Sequence, residues 1–167
     1  NATNVVVLTG TGSSFAATND AAKLSPAGMW DVWVAVQTKV GAPAFQAVCD
    51  TFASAKIDDN IERLLTLCKL YLELHETAVT DPTYIRIHDF VEAAEQAILA
   101  RVDFVDRTTN LDAHAGLIQK IGRRGVRKAR SKLFTTNYDL CFEEAARRHR
   151  FTIIDGFSHG LDQVYDR

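Results

Sequence analysis

Two short polar clusters in this chain have residue types suited to holding a phosphorylated ligand, and each stands where an apolar run stops. The first is Gly10-Thr11-Gly12-Ser13-Ser14. Glycines at 10 and 12 allow a sharp turn and let the backbone approach a ligand with no Cβ in the way. The hydroxyls of Thr11, Ser13 and Ser14, with the amides that follow, suit a pyrophosphate at a helix N-terminus. A complete G-x-G-x-x-G would have glycine at 15, where this chain has Phe15, so the motif is partial. The second cluster is Asn137-Tyr138-Asp139. An asparagine offers a donor and an acceptor from one short side chain, which suits holding a water or a sugar hydroxyl. The plainer alternative is that Asn137 ends a strand and Asp139 caps the next helix.

The elements that must position these clusters are legible from periodicity. Asn4 to Thr9, N-V-V-V-L-T, reads as a continuous apolar strand from the middle of a parallel sheet. Lys132 to Thr136, K-L-F-T-T, reads as a second. Phe151 to Phe157, F-T-I-I-D-G-F, reads as a third strand with a turn at Asp155-Gly156. Parallel pairing of Val5–Thr9, Leu133–Thr136 and Thr152–Ile154 is expected, because apolar runs separated by helices imply crossover connections. In open α/β sheets, ligands sit beyond the carboxyl ends of such strands.

Between the first two strands the pattern is helical. Met29, Trp30, Trp33, Val34 and Val36 form one apolar face, with Asp31 either a ligand contact or a first-turn carboxylate. Asp59 and Glu62 suggest a capping box before Ile61, Leu64, Leu65, Cys68 and Leu72. After Thr80-Asp81-Pro82, a long stripe runs Tyr84, Ile87, Val91, Ala94, Ile98, Val102. Residues 27–105 therefore read as a helical insertion. His75 and His88 fall on these helices without a partner at metal spacing. Asp112 to Gly122 is a further amphipathic helix, with Ala113, Leu117, Ile118 and Ile121 inward. The basic run from Arg123 to Lys132 reads as a solvated face before the strand, with a phosphate or partner surface as the alternative. The helix after Asp139 has Leu140, Cys141, Phe142 and Ala145 inward, with Glu143, Glu144, Arg147 and Arg148 outward.

The 167 residues suffice for one domain with a real core. A 47% hydrophobic and 24% charged composition is that of an ordinary globular protein, and a net charge of -2 gives no reason to expect direct nucleic-acid binding. No apolar run approaches the roughly 20 residues that span a bilayer. Cys49, Cys68 and Cys141 lie apart inside helical patterns, without C-x-x-C spacing, and read as reduced core thiols of a cytoplasmic protein.

Four segments together carry a resemblance: V-V-V-L-T-G-T-G-S-S at 5–14, N-I-E-R-L-L-T at 60–66, K-L-F-T-T-N-Y-D at 132–139 and I-I-D-G-F at 153–157. In this order they resemble the sirtuin-like family, in the branch found in bacterial anti-phage defence. Gly10 to Ser14 is similar to that family's glycine-rich loop, and Thr135 to Asp139 to its T-Q-N-I-D motif. Three departures stand out. The paired C-x-x-C zinc module of the protein deacylases is absent, a polar stretch followed by M-W-D-V-W replaces G-I-P-D-F-R, and the His-Gly is either His159-Gly160 or lies beyond Arg167.

The resemblance implies a Rossmann-like parallel sheet with the helical insertion between its first and second strands, here as a fragment of a longer chain. It implies NAD as substrate, cleaved at the nicotinamide–ribose bond without a metal. Asn137 and His159 are then the catalytic candidates, and Gly10, Thr11, Gly12, Ser13, Ser14, Asp31, Thr136 and Asp139 the NAD contacts. Such domains resemble defence effectors that assemble as homo-oligomers, some beside a hexameric HerA-type translocase ATPase. Two alternatives stay open: an NAD-dependent protein deacylase, and a non-catalytic subunit that senses NAD or a related nucleotide.

Overall fold

The computed structural model describes residues 4–19, 25–123 and 130–154. They form a mixed α/β structure whose chain order is β1 (Val6–Thr9), α1 (Thr11–Ser14), α2 (Met29–Val40), α3 (Ala42–Thr51), α4 (Ile61–Leu74), α5 (Pro82–Val102), α6 (Asp112–Gly122), β2 (Lys132–Thr135) and α7 (Cys141–Arg148). The chain divides into two compact units, Leu24–Phe104 and the pair of segments Asn1–Lys23 with Val105–Arg167.

Leu24–Phe104 is helical, as the periodicity of residues 27–105 predicts. Val36, Phe45, Leu64, Ile87 and Ala94 are fully buried at its centre. Trp33, Phe45 and Phe90 meet edge to face at 4.8 and 5.8 Å, the geometry that aromatic quadrupoles favour. Asp81 caps α5 by accepting from the Thr83 and Tyr84 amides, with Pro82 in the first turn. At α4 the expected cap moves by one residue. Asn60, not Asp59, accepts from the Arg63 amide at 3.0 Å, while Asp58 and Asp59 both hold φ of 53°. Two left-handed residues reverse the chain there, which leaves the following amide side chain to close the helix.

In the other unit, β1 and β2 pair in parallel, with Val6 opposite Lys132, Val7 opposite Leu133, Leu8 opposite Phe134 and Thr9 opposite Thr135. The expected pairing of the first two strands is therefore present. Their alternating side chains divide between two environments. On one face Leu133 packs toward Ile118, Phe142 and Ala146. On the other, Val6, Leu8 and Phe134 are exposed, so the expectation of a strand buried on both faces fails among the described residues.

The expected third strand fails as well. Thr152–Ile154 has no ladder partner among the described residues, and its expected turn at Asp155-Gly156 lies outside them. The ending of α7 supplies the reason. Arg150 takes φ of 59°, and the amides of Arg150 and Phe151 return to the carbonyls of Arg147 and Ala146, closing a Schellman motif. Phe151 and Ile153 then pack onto the α6–α7 cluster through their side chains. Two helix faces also differ from expectation. On α6 the inward residues are His114, Ala115 and Ile118, with Ala113 exposed. On α7, Cys141, Phe142, Ala145 and Ala146 are inward while Leu140 is exposed. Among the described residues no helix is long and apolar enough to cross a membrane.

Candidate functional site

The parallel register brings the two polar clusters out side by side. Thr136 donates its amide to the Thr9 carbonyl at 3.3 Å, so both strands end at the same level. Gly10 continues extended, and the chain then coils into the single turn α1, closed by the Ser13 amide on the Gly10 carbonyl at 2.8 Å. Neither Gly10 nor Gly12 needs a positive φ; among the described glycines only Gly41 has one. The turn from β1 into α1 at these glycines is thus made without left-handed backbone. A Cβ on Gly12 would meet nothing within 4 Å, so its surface is open to an approaching group. A Cβ on Gly10 would lie in ordinary contact with Thr136 Oγ1 at 3.5 Å.

Asn137 lies at the centre. Its Nδ2 sits 3.1 Å from the Gly10 carbonyl, 3.0 Å from Ser13 Oγ and 2.6 Å from Ser14 Oγ. A backbone carbonyl only accepts, so the nitrogen must be the atom facing Gly10. Ser14 Oγ donates to Asp139 Oδ2 at 2.5 Å, which leaves its lone pairs to accept from Asn137. The other Asp139 oxygen accepts from the Cys141 amide at 3.1 Å at the start of α7. Asp139 thus joins the loop to the helix with one carboxylate. The orientation of Asn137 follows, and its Oδ1 is buried with no hydrogen-bond partner among the described residues.

Ser14 is buried, and Ser13 Oγ donates to the Gly10 carbonyl at 2.8 Å. Both serine hydroxyls are therefore turned into the protein and support Asn137. Thr11, Gly12 and Thr136 are exposed at the same end of the sheet. The first amides of a helical turn have no intrahelical acceptor. Those of Thr11 and Gly12 therefore have no acceptor within α1.

Asp31 belongs to the helical unit, where its Oδ2 caps α2 by accepting from the Gly28 amide at 2.8 Å and lies 4.0 Å from Arg101 Nη2. That is the first-turn role, filled. His159 and Gly160 lie outside the described residues. Away from this site, ligand atoms of His88, Asp89 and Glu92 come within 4.8 Å of one another on an exposed part of α5, so His88 does have carboxylates near it.

One residue was not marked by its sequence neighbourhood. His114, in the first turn of α6, is 3% exposed and meets Phe142 edge-on at a centroid distance of 4.9 Å. Burial pulls its pKa below the ordinary 6.5, opposed by the Asp139 carboxylate and the Ser13 backbone beside it. The available signal was its place in the apolar series Leu111, His114, Ala115, Ile118. The Cys141 thiol is held protonated, first by burial and then by Asp139, so it is no nucleophile at neutral pH.

The arrangement is a rigid amide, oriented by three oxygens and backed by a serine–aspartate pair, with an open glycine beside it. It can align a ligand's hydroxyl or a water. Comparison with protein-family models and with curated protein sequences gives no match for this chain.

Proposed function

We propose that this chain is an NAD hydrolase that cleaves the nicotinamide–ribose bond and serves anti-phage defence by depleting NAD. One observation carries the reading. Asn137, from the end of β2, is fixed against the Gly10–Ser14 loop at the end of β1, and its carbonyl is left as a buried, unpartnered acceptor. A buried acceptor without a partner costs about 1–3 kcal/mol, and a ligand hydroxyl would relieve that cost.

The residues fit the substrate. The open surface at Gly12 lets a pyrophosphate approach the amides of Thr11 and Gly12, with Thr136 at the same edge. Departure of nicotinamide leaves an oxocarbenium-like centre, which needs an aligned water more than a strong nucleophile. Asn137 Oδ1 accepts from that water or from a ribose hydroxyl, while Ser13, Ser14 and Asp139 stop the amide from rotating. His159 is the general base in this reading. No metal takes part.

The wider assignment goes with it: a partial sirtuin-like domain over residues 1–167, with a Rossmann-like parallel sheet and residues 27–105 inserted between its first two strands. The two parallel strands, joined by a long helical connection, support it. The protein would act in the cytoplasm as a homo-oligomer, with a hexameric HerA-type translocase ATPase as a candidate partner and no direct contact with nucleic acid or membrane.

The test is nicotinamide release at saturating NAD, from wild type and Asn137→Ala. Release should fall at least about a hundredfold in the variant. Near-normal release from a folded Asn137→Ala protein overturns the reading. Acyl-ADP-ribose as product would mean a deacylase, and NAD bound but never cleaved would mean a sensor.

A further inference from the structure

Both tryptophans of the chain line one open groove in the Leu24–Phe104 unit, a space of about 390 Å³. That volume is in the range of small-molecule sites. Trp33 and Phe45, edge to face at 4.8 Å, belong to the core of the unit and form the inner side of the groove. Trp30, in the first turn of α2, lines it while 60% exposed. One exposed tryptophan is ordinary by itself. This one shares its groove with two carboxylates.

Asp58 and Asp59 both line the groove, and both hold φ of 53° in the turn before α4. That turn asks for residues tolerant of left-handed backbone, and asparagine or glycine would meet the need without charge. Nor is either carboxylate used to cap α4, since Asn60 does so. Lys56 lies 3.6 Å from Asp58, but the pair stands largely in solvent. Asp59 has no hydrogen bond or ion pair among the described residues. No lysine, arginine or histidine is among the described residues that line the groove. Cys49, which does line it, is kept a neutral thiol by burial, then by Asp50 and Asp59.

We infer that this groove binds a small organic ammonium ion, with the Trp30 indole against its apolar groups and the Asp59 carboxylate against its charge. The inference goes beyond the NAD reading and uses none of that site's residues.

The physics is the joining of two modest attractions. The face of an indole is the best aromatic surface for a cation. An exposed carboxylate alone gains little from a counter-ion, because water screens it. Beside an aromatic wall the ligand loses water on one side, and the same carboxylate attracts it more strongly. Phosphorylated ligands meet only negative charge here, so the groove is unsuited to a second nucleotide. Its width exceeds what a lysine stem would fill, which favours a free ion carrying its own apolar groups.

The experiment titrates the whole chain with choline and follows the two indole N–H signals by NMR. Trp30→Ala assigns them, since the exposed ring can be removed while Trp33 stays in the core. The signals should shift saturably below about 10 mM choline. The alcohol 3,3-dimethylbutan-1-ol has the same shape without the charge and should bind at least about tenfold more weakly. Asp59→Asn keeps a residue suited to left-handed backbone, so its denaturation midpoint should hold while choline affinity falls at least about threefold. Equal affinity for the alcohol overturns the inference, and so does full choline affinity in Asp59→Asn or the absence of a saturable shift. A capped lysine, N-acetyl-lysine methylamide, bound more tightly than choline would assign the groove to a protein side chain and overturn the free-ion reading. No arm contains NAD, so this result and the hydrolase reading stand or fall separately.

Discussion

Asn137 donates to Ser14 Oγ at 2.6 Å across 123 residues of chain, and this contact joins the two polar clusters into one site. Neither residue could be tied to the other by local spacing. The parallel ladder between β1 and β2 creates the contact by ending both strands at one level.

The direction of that hydrogen bond makes Asn137→Asp a stringent substitution. A carboxylate oxygen would replace Nδ2 against the Gly10 carbonyl and would stand near the Asp139 charge. The variant should be less stable than Asn137→Ala by about 1–3 kcal/mol, read from urea denaturation midpoints at pH 7. Equal stability of the two would mean that the amide is flipped.

Gly12→Ala separates folding from binding. Beyond its chain neighbours and its own helical turn, its Cβ would meet nothing within 4 Å, and its backbone is helical, so stability should hold or rise by up to about 1 kcal/mol. Calorimetric titration should show weakened NAD binding, because the methyl group occupies the surface that the pyrophosphate would approach. Unchanged affinity would remove the loop as the phosphate site.

Gly122→Ala should act in the opposite sense. Its Cβ would be driven into the ring of Phe151, which packs with Ile118, Phe142 and Leu133. We expect a loss of about 1–3 kcal/mol by thermal or urea denaturation, with NAD binding per folded molecule retained.

Burial of His114 also makes stability depend on pH. Its folded-state pKa lies below the ordinary 6.5, so between the two values the unfolded chain binds the extra proton. Stability is therefore fully present above about pH 6.5 and is lost as pH falls toward the folded value. His114→Leu should flatten this part of the stability profile, measured as denaturation midpoints from pH 7.5 to pH 5. A profile with the same slope in the variant would exclude His114 as its source.

Much of the helical unit was open to sequence reading because helical periodicity is a local property. Ile61, Leu64 and Cys68 on α4, and Ile87, Val91 and Ala94 on α5, are buried as their spacing requires. The runs at Val6–Thr9 and Lys132–Thr135 were likewise legible as strands followed by polar clusters, though not the exposure of Val6, Leu8 and Phe134. Tertiary structure decided what those residues face. Periodicity shows that α6 has a buried stripe but leaves its edge uncertain by one residue, and packing against Phe142 placed His114 inside and Ala113 outside. The serines of the loop suit phosphate or protein equally well in sequence, and the approach of Asn137 and Asp139 turned them inward. An apolar β-branched run such as Thr152–Ile154 becomes a strand only if another strand meets its backbone, and that meeting depends on residues far away in the chain.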